Sequence, residues 1–481
     1  MIQFKFLPPN TISVETQDYS LFKEFLDSFV YSSYRPDRFG KMRATFHSPI
    51  SLTGKFNAGL FVEVIKKARE MFGSGIGVDP AISKILFPFY SQSIKIKSLP
   101  NPKFKYFDDQ KDAIEKFLKF GRGIIVSPCA SGKSAIIAGI LESVFQLKYL
   151  KTGLIIVPTR QLVTQLYKDF IDYGVTNVQE FSSGTGKRIT EQIVISNRQW
   201  LQLHAKELPK TDILIVDECD TLGNANNKLN RYISSIKTPI RLGLTATMPK
   251  LKEHYYEVVG QLGTVLHLKK YQDLKESRQS VDVEISSLKF KFNLKSPKIA
   301  QIYDDENLKP SERYAAEISH FLNSPSMLIT VVEKIRALSG NTLVLFDYLE
   351  TRDKLKKYFD DSILKLDNRK ILWIDGGVAV EVREDIRSEL ETSNNMVLFA
   401  QSQTLGRGIN IKNLNNVVLL FTTKSSSKIV QSIGRGMRNL LGKFCVKIID
   451  VSSNLRYAAR HYSHRKKLYS EYFGVNSIHD A

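Results

Sequence analysis

The sequence predicts an α/β chain: two parallel-sheet domains in tandem, preceded by a small α+β domain at the N-terminus. Short apolar, β-branched runs alternate with helical stretches, the pattern of strands buried on both faces with crossover helices between them. The alternation occurs twice, and a lysine-rich segment separates the two series.

The first series of runs is 123–127 (GIIVS), 153–158 (GLIIVP), 192–196 (QIVIS), 212–217 (DILIVD) and 240–245 (IRLGLT). The second begins after residue 340, with 342–346, 370–374, 396–400, 416–421 and 445–451. Between them, 266–325 holds an alternating, strand-like run at 281–292 and a polar stretch at 296–311, expected as a linker with an insertion. Residues 1–95 mix short strands (IQFKF, TISVE), a helical stretch at 20–31, an Arg/Gly/Pro-rich loop and an amphipathic helix at 60–72. The expected domains are therefore 1–95, 96–265 and 326–481, the last ending in a basic helix at 456–469.

Composition narrows the function classes. The 481 residues carry 69 Lys and Arg against 49 Asp and Glu, a net charge of +20 spread along the chain rather than confined to a tail. Such a surface attracts polyphosphate partners by releasing their counterions. Cys129, Cys219 and Cys445 are far apart without CxxC spacing, which argues against a disulfide framework or zinc site and for a reducing, cytoplasmic setting. No apolar run approaches the ~20 residues of a membrane span, and MIQFKFLPPN lacks the charged-then-apolar order of a secretory signal, so no membrane association is expected.

The run at 123–134, GIIVSPCASGKS, takes a strand through a tight loop into a helix. That context makes it a phosphate loop: backbone amides, Ser131 and Gly132 among them, face the phosphates at a helix N-terminus. Lys133 reaches the β- and γ-phosphates, and the Ser134 hydroxyl is a ligand for Mg²⁺. Ser127 stands where the strict pattern has glycine. DECD follows the buried run DILIVD, so its carboxylates lie at the C-terminal end of a parallel strand, where open α/β sheets bind ligands. Asp217 suits the metal and Glu218 the attacking water. Thr245 and Thr247 after the next strand can bond to the acidic motif. Gln110, preceded by Tyr106, Phe107, Asp108 and Asp109, can pair with both edges of adenine while the aromatic Phe107 stacks. In the second series, QSIGRGMR (431–438) places Arg435 and Arg438 three residues apart, on one face if the segment is a helix. Guanidinium groups stabilise a transferring γ-phosphoryl group.

Together, and in this order along the chain, these segments resemble the superfamily 2 helicases. FDDQ looks like the Q motif, SPCASGKS motif I, VPTRQLVTQ (157–165) motif Ia, DECD motif II and TAT motif III. QTLGRGINI (403–411) looks like motif V and QSIGRGMR motif VI. The stretches 34–46 and 56–73, with VDP at 78–80, resemble the N-terminal nucleic-acid-binding domain of UvsW-type phage branch-migration helicases. The resemblance implies two RecA-like domains, ATP and Mg²⁺ as cofactors, and a monomeric DNA motor remodelling forks, Holliday junctions or D-loops in the host cytoplasm, with an ATP-dependent RNA helicase or a catalytically silent nucleic-acid-binding scaffold as the alternatives. It implies an ATP site of Lys133, Ser134, Asp217, Glu218, Gly408, Arg435 and Arg438, with Gln110 at adenine. It sets Thr159, Arg160, Ser183, Gly184, Asn197, Arg198 and Thr404 along the nucleic-acid strand. Asn410 departs from the aspartate common at its position.

Two basic, aromatic segments flank these motifs. Arg35, Arg38, Lys41 and Arg43 lie with Tyr34 and Phe39, which suits either phosphate contact with base stacking or a charged hairpin edge. In the tail RYAARHYSHRKKLY, Tyr462 and Leu468 are expected on the core face, with His461 and His464 packing or touching phosphate.

Overall fold

The computed structural model describes residues 2–36, 42–128, 131–182, 189–204, 210–223, 228–276, 281–361, 366, 368–405, 411, 413–437 and 443–480. It divides into two compact units, one made chiefly of residues up to 269 and the other of residues from 270 onward.

The first unit is built on a seven-stranded, wholly parallel sheet. Its order is Val265–Leu268, Arg122–Val126, Ile240–Thr245, Ile213–Asp217, Gly153–Val157, Ile193–Asn197, Val178–Phe181. Alternation along each strand explains why the runs read as continuously apolar. Ile124, Val126, Leu214 and Val216 enter one core, while Ile125, Ile213 and Ile215 enter the other. The second core is closed by helices such as Lys133–Val144, buried from Ala135 to its end.

The first core is closed by the N-terminal region. There a four-stranded mixed sheet, ordered Lys55–Asn57, Thr11–Glu15, Ile2–Leu7, Ile76–Val78, carries the helices Tyr19–Asp27 and Phe61–Phe72. Phe4, Phe25, Phe56 and Leu60 share a single apolar cluster with Val216, Val258 and Leu262. The approach is close: a Cβ on Gly59 would stand 2.1 Å from the Val259 carbonyl oxygen on the helix Lys252–Leu262. Arg122, wholly buried, donates to Asn10 Oδ1 at 2.6 Å and to the Gln261 carbonyl at 3.0 Å, tying the N-terminal sheet to that helix. The segment expected as a loop is a two-stranded ribbon, Tyr31–Pro36 with Met42–His47, pairing only with itself among the described residues. Its strands carry polar and aromatic residues that stay exposed, so no burial pattern marks them.

The second unit holds another parallel seven-stranded sheet: Ile371–Ile374, Val397–Gln401, Thr342–Phe346, Asn416–Leu420, Cys445–Ser453, Asp282–Phe290, His479–Asp480. All five expected strands are present. The stretch 266–325, expected as linker and insertion, supplies a strand to each sheet: Val265–Leu268 to the first and Asp282–Phe290 to the second. Its strand-like alternation is thus the half-buried pattern of a strand near the sheet's edge. The basic tail forms the helix Arg456–Phe473. Its N-terminal amides at Tyr457 and Ala458 donate to the Glu317 carboxylate at 2.8 Å, and buried Arg465 forks onto Asp450 at 2.7 and 2.9 Å. Tyr462 and Leu468 face the core as expected, and His461 packs inward beside Thr422.

Candidate nucleotide site and nucleic-acid edge

The strand Arg122–Val126 delivers the phosphate loop at the carboxyl edge of the first sheet, and Ser127 N–H still bonds to Thr245 O at 2.9 Å. The loop ends at Gly132, whose φ of +75° is the left-handed geometry that turns the chain into the helix Lys133–Val144. Lys133 folds back so that Nζ donates to Ser127 O at 3.3 Å. Ser127 therefore contributes its carbonyl, which any residue supplies, and the missing glycine changes little there.

Gln110 is buried in the first turn of the helix Asp108–Phe120. Its Oε1 accepts from Phe107 N–H at 3.0 Å, and a Cβ placed on residue 132 would meet its Nε2 at 2.5 Å. The amide is thus held by its oxygen against the loop, with Phe107 half-exposed beside it. Ser134 Oγ lies 2.9 Å from the Tyr173 hydroxyl. Tyr173, which caps the C-terminus of the helix Arg160–Asp172, went unnoticed in the sequence because nothing local marks a partner so far along the chain.

The acidic motif ends the strand Ile213–Asp217. Glu218 takes φ +50°, a conformation uncommon outside glycine and one that turns the chain sharply at the motif. Thr221 holds the turn by donating from N and Oγ1 to Glu218 O at 3.2 and 2.9 Å. Thr245 Oγ1 stands 3.2 Å from Asp220 Oδ1 and accepts from Thr247 N–H at 3.2 Å, so the acidic and threonine motifs are bonded as expected. Burial, and then Asp220, Glu218 and Asp217, push the Cys219 thiol well above its usual range, which leaves it an inert packing group. The donors fit Mg²⁺: one hydroxyl and one carboxylate are hard oxygens, and that ion takes its remaining ligands from phosphates and water. Among the described residues no cluster of three or more His, Cys, Asp or Glu competes as a metal cage.

Four of the residues expected along the nucleic acid, Thr159, Arg160, Asn197 and Arg198, share the same edge of the first sheet. Strands Gly153–Val157 and Ile193–Asn197 are neighbours in register, Asn197 opposite Val157. Thr159 and Asn197 both cap the following helices, accepting from Leu162 N–H at 3.3 Å and Trp200 N–H at 2.8 Å. Arg160 is exposed at one helix start and Arg198 half-buried at the other. In the second unit, Thr404 donates to Gln401 Oε1 at 3.2 Å, and Gln401 Nε2 donates to Asp347 O at 3.2 Å. The Asp347 carboxylate also accepts from Ser402 and Lys428. Asp347 was missed although it follows a parallel strand directly, the signal that found Asp217.

One expectation about Arg435 needs correction. It does not sit inside a helix: the helix Ser426–Gly434 ends there, with Arg435 as its buried C-terminal cap and Gly436 N–H bonding back to Ile433 O at 2.9 Å. Helical spacing was inferred across a turn. Arg438, Gly408, Asn410, Ser183, Gly184, Arg38, Phe39, Lys41 and Cys129 lie outside the described residues. Arg35 belongs to the ribbon, paired in register with Arg43.

Two family models match in tandem: the res subunit of type III restriction enzymes over residues 103–250, and the helicase conserved C-terminal domain over 326–439. The chain is 25% identical over 408 residues to the ATP-dependent DNA helicase UvsW of Enterobacteria phage T4, covering 80% of this chain and 77% of that one. The chain belongs to the superfamily 2 helicases. Its likeness is to the UvsW type, and it is an ATPase acting on nucleic acid. A putative helicase of a Sulfolobus islandicus filamentous virus is 27% identical over 75% of this helicase and 66% of its own length. The DNA 3′-5′ translocase XPB2 of Sulfurisphaera tokodaii is 31% identical over 37% of it. The fold is also that of yeast Dbp5 bound to RNA and ADP with beryllium fluoride, at a TM-score of 0.55 and 17% identity over 79% of this chain and 90% of that one. No helix among the described residues is long and apolar enough to cross a membrane.

Proposed function

We propose that this helicase is a monomeric DNA motor of the cytoplasm that remodels branched DNA: forks, Holliday junctions and D-loops. The likeness to a phage DNA helicase across four-fifths of the chain carries this reading. The archaeal relative named a 3′-5′ translocase supports movement from 3′ to 5′ along the strand. The domains follow as 1–95 for accessory binding and the residues from 96 onward for the motor, whose two sheets also take strands from the stretch 266–325.

In this mechanism the loop amides at Ser131 and Gly132 and the Lys133 ammonium hold the β- and γ-phosphates, while Gln110 and Phe107 hold adenine. Ser134 and Asp217 would hold Mg²⁺, which when bound neutralises charge developing on the phosphates. Glu218 accepts a proton from the water that attacks the γ-phosphorus. Arg435, with Arg438, neutralises the transferring phosphoryl group. Gly408 contributes from motif V. Thr159, Arg160, Ser183, Gly184, Asn197, Arg198 and Thr404 grip phosphate and sugar, and Arg35 and Arg38 add contacts from the N-terminal region. Contacts of this kind position a strand without reading its bases.

The test pairs phosphate release with unwinding of a fork, a four-way junction, a D-loop and an RNA duplex. Lys133→Ala and Glu218→Gln should each lower DNA-stimulated turnover by at least about a hundredfold while DNA binding persists. Turnover like the wild type in both variants defeats the site. RNA duplexes opened faster than forks defeat the substrate.

A further inference from the structure

The ribbon wears its faces the opposite way from an ordinary hairpin. The register pairs Tyr31 with His47, Ser32 with Phe46, Ser33 with Thr45 and Tyr34 with Ala44. Since side chains alternate, Tyr34, Met42 and Phe46 share one face, and Tyr31, Ser33, Thr45 and His47 the other. The second face is the one that is seated. Tyr31 stacks on His47 at 5.6 Å between ring centroids and meets Tyr256 at 5.7 Å. His47 Nε2 lies 2.8 Å from Ser33 Oγ and 3.3 Å from the Glu253 carboxylate. The aromatic face is left in solvent: Phe46 is 72% exposed, Tyr34 66% and Met42 57%. Their cross-strand partners at this level, Ser32 and Ala44, are too small to cover the rings.

An apolar face turned outward on a ribbon without further sheet partners among the described residues is a binding surface rather than a core. Its position matters as much as its chemistry. Tyr256 and Glu253 belong to the helix Lys252–Leu262, which starts a few residues after Thr247 of the threonine motif. The ribbon is therefore mounted on the element that directly follows a part of the nucleotide site. Arg43 is exposed on the same strand but alternates to the opposite face, and the chain as a whole is strongly cationic, so a polyanion with flat apolar groups matches the rings on one face and the charge around them.

We propose that Phe46 and Tyr34 form a stacking platform for the last base pair of a duplex at a junction, a wedge against which the motor draws the strands apart. This rests on the branched-DNA reading. Stacking on an aromatic ring tolerates any base, as a wedge requires.

The test uses the full chain and a fork with 2-aminopurine at the junction. The wild type should change the probe's emission without ATP, and the double variant Phe46→Ala/Tyr34→Ala should abolish that change. Base pairs opened per ATP hydrolysed should fall about tenfold in the double variant, the loss of one stacked base. Phe46→Trp should restore both. Equal opening per ATP in the double variant overturns the proposal, as does sedimentation showing that the double variant abolishes self-association, which would assign the face to a second copy. The fluorescence arm needs no unwinding. A wild type that opens no forks removes the remodelling reading, while the platform stands or falls on the probe.

Discussion

At the scale of single residues, the phosphate loop depends on a contact that motif matching does not reveal. Gly132 is required twice: its φ is positive, and the space where a Cβ would stand is taken by the Gln110 amide. That amide cannot simply swing away, because Phe107 N–H holds its oxygen. Gly132→Ala should therefore raise the KM for ATP by about tenfold or more, the amide's displacement adding to backbone strain of roughly 1–2 kcal/mol. Combining it with Gln110→Ala removes the clash but not the strain, so the two effects should be less than additive in a double-mutant cycle of KM. Strict additivity would mean that the two groups do not meet. His461 offers a second residue-scale test. Burial, and then Lys424, Arg465, His464 and Arg460, push its pKa down to about 4. It is neutral in the fold, whereas the unfolded chain binds its proton below about 6.5. Stability attributable to this residue is thus complete above pH 6.5 and is lost as the pH falls toward 4. The melting temperature of His461→Gln should fall less steeply than the wild type's across that window, and parallel curves would refute the assignment.

At the scale of elements, the decisive packing is between the N-terminal sheet and the helix Lys252–Leu262. Gly59 meets backbone there, which cannot rotate aside as a side chain can. Gly59→Ala should cost more than about 2 kcal/mol, seen as a lower denaturation midpoint with an unchanged slope. A midpoint like the wild type's would mean that the two elements part easily. The shared apolar cluster makes removal of residues 1–95 a poor probe of their role, since it would bare one face of the first sheet. These elements also mark what the sequence made legible. The buried strands announced themselves because strands covered on both faces must be apolar throughout, and Lys133, Asp217 and Glu218 could be found because each follows such a strand. The ribbon of Tyr31–Pro36 and Met42–His47 is legible only as one of two readings, a hairpin edge, because its aromatic face meets solvent and leaves no burial pattern. The strand Asp282–Phe290 was visible as a strand, but its pairing with Cys445–Ser453 spans a long stretch of intervening chain. The helix ends at Arg435 between Gly434 and Gly436, a stop that glycines permit but that the spacing of the arginines does not show. Tyr173 beside Ser134 depends on the tilt of one helix across another, which no spacing encodes.

At the scale of the whole molecule, charge is the property that no single motif carries. An excess of +20 distributed over the chain raises the local concentration of any polyanion, yet the excess alone does not discriminate a motor's track from a nonspecific surface. Salt dependence does. If Arg160 and Arg198 at the edge that also bears Thr159 and Asn197 each meet a phosphate, about two phosphates are neutralised there on a single strand. The logarithm of affinity should then fall against the logarithm of salt with a slope of about −1.4 from this edge, a loss of roughly sevenfold between 50 and 200 mM. Because helix caps and guanidinium groups touch backbone rather than base edges, oligonucleotides of different sequence should give the same slope and nearly the same affinity. Arg160→Ala should lower the slope by about 0.7, one phosphate's share, by the same amount on every sequence. Lys133→Ala, whose ammonium serves the triphosphate, should leave the slope where it was. Titrations by fluorescence anisotropy across that salt range would measure all three, and a slope near zero, or one that Arg160→Ala leaves untouched, would remove this edge of the sheet from the path of the strand.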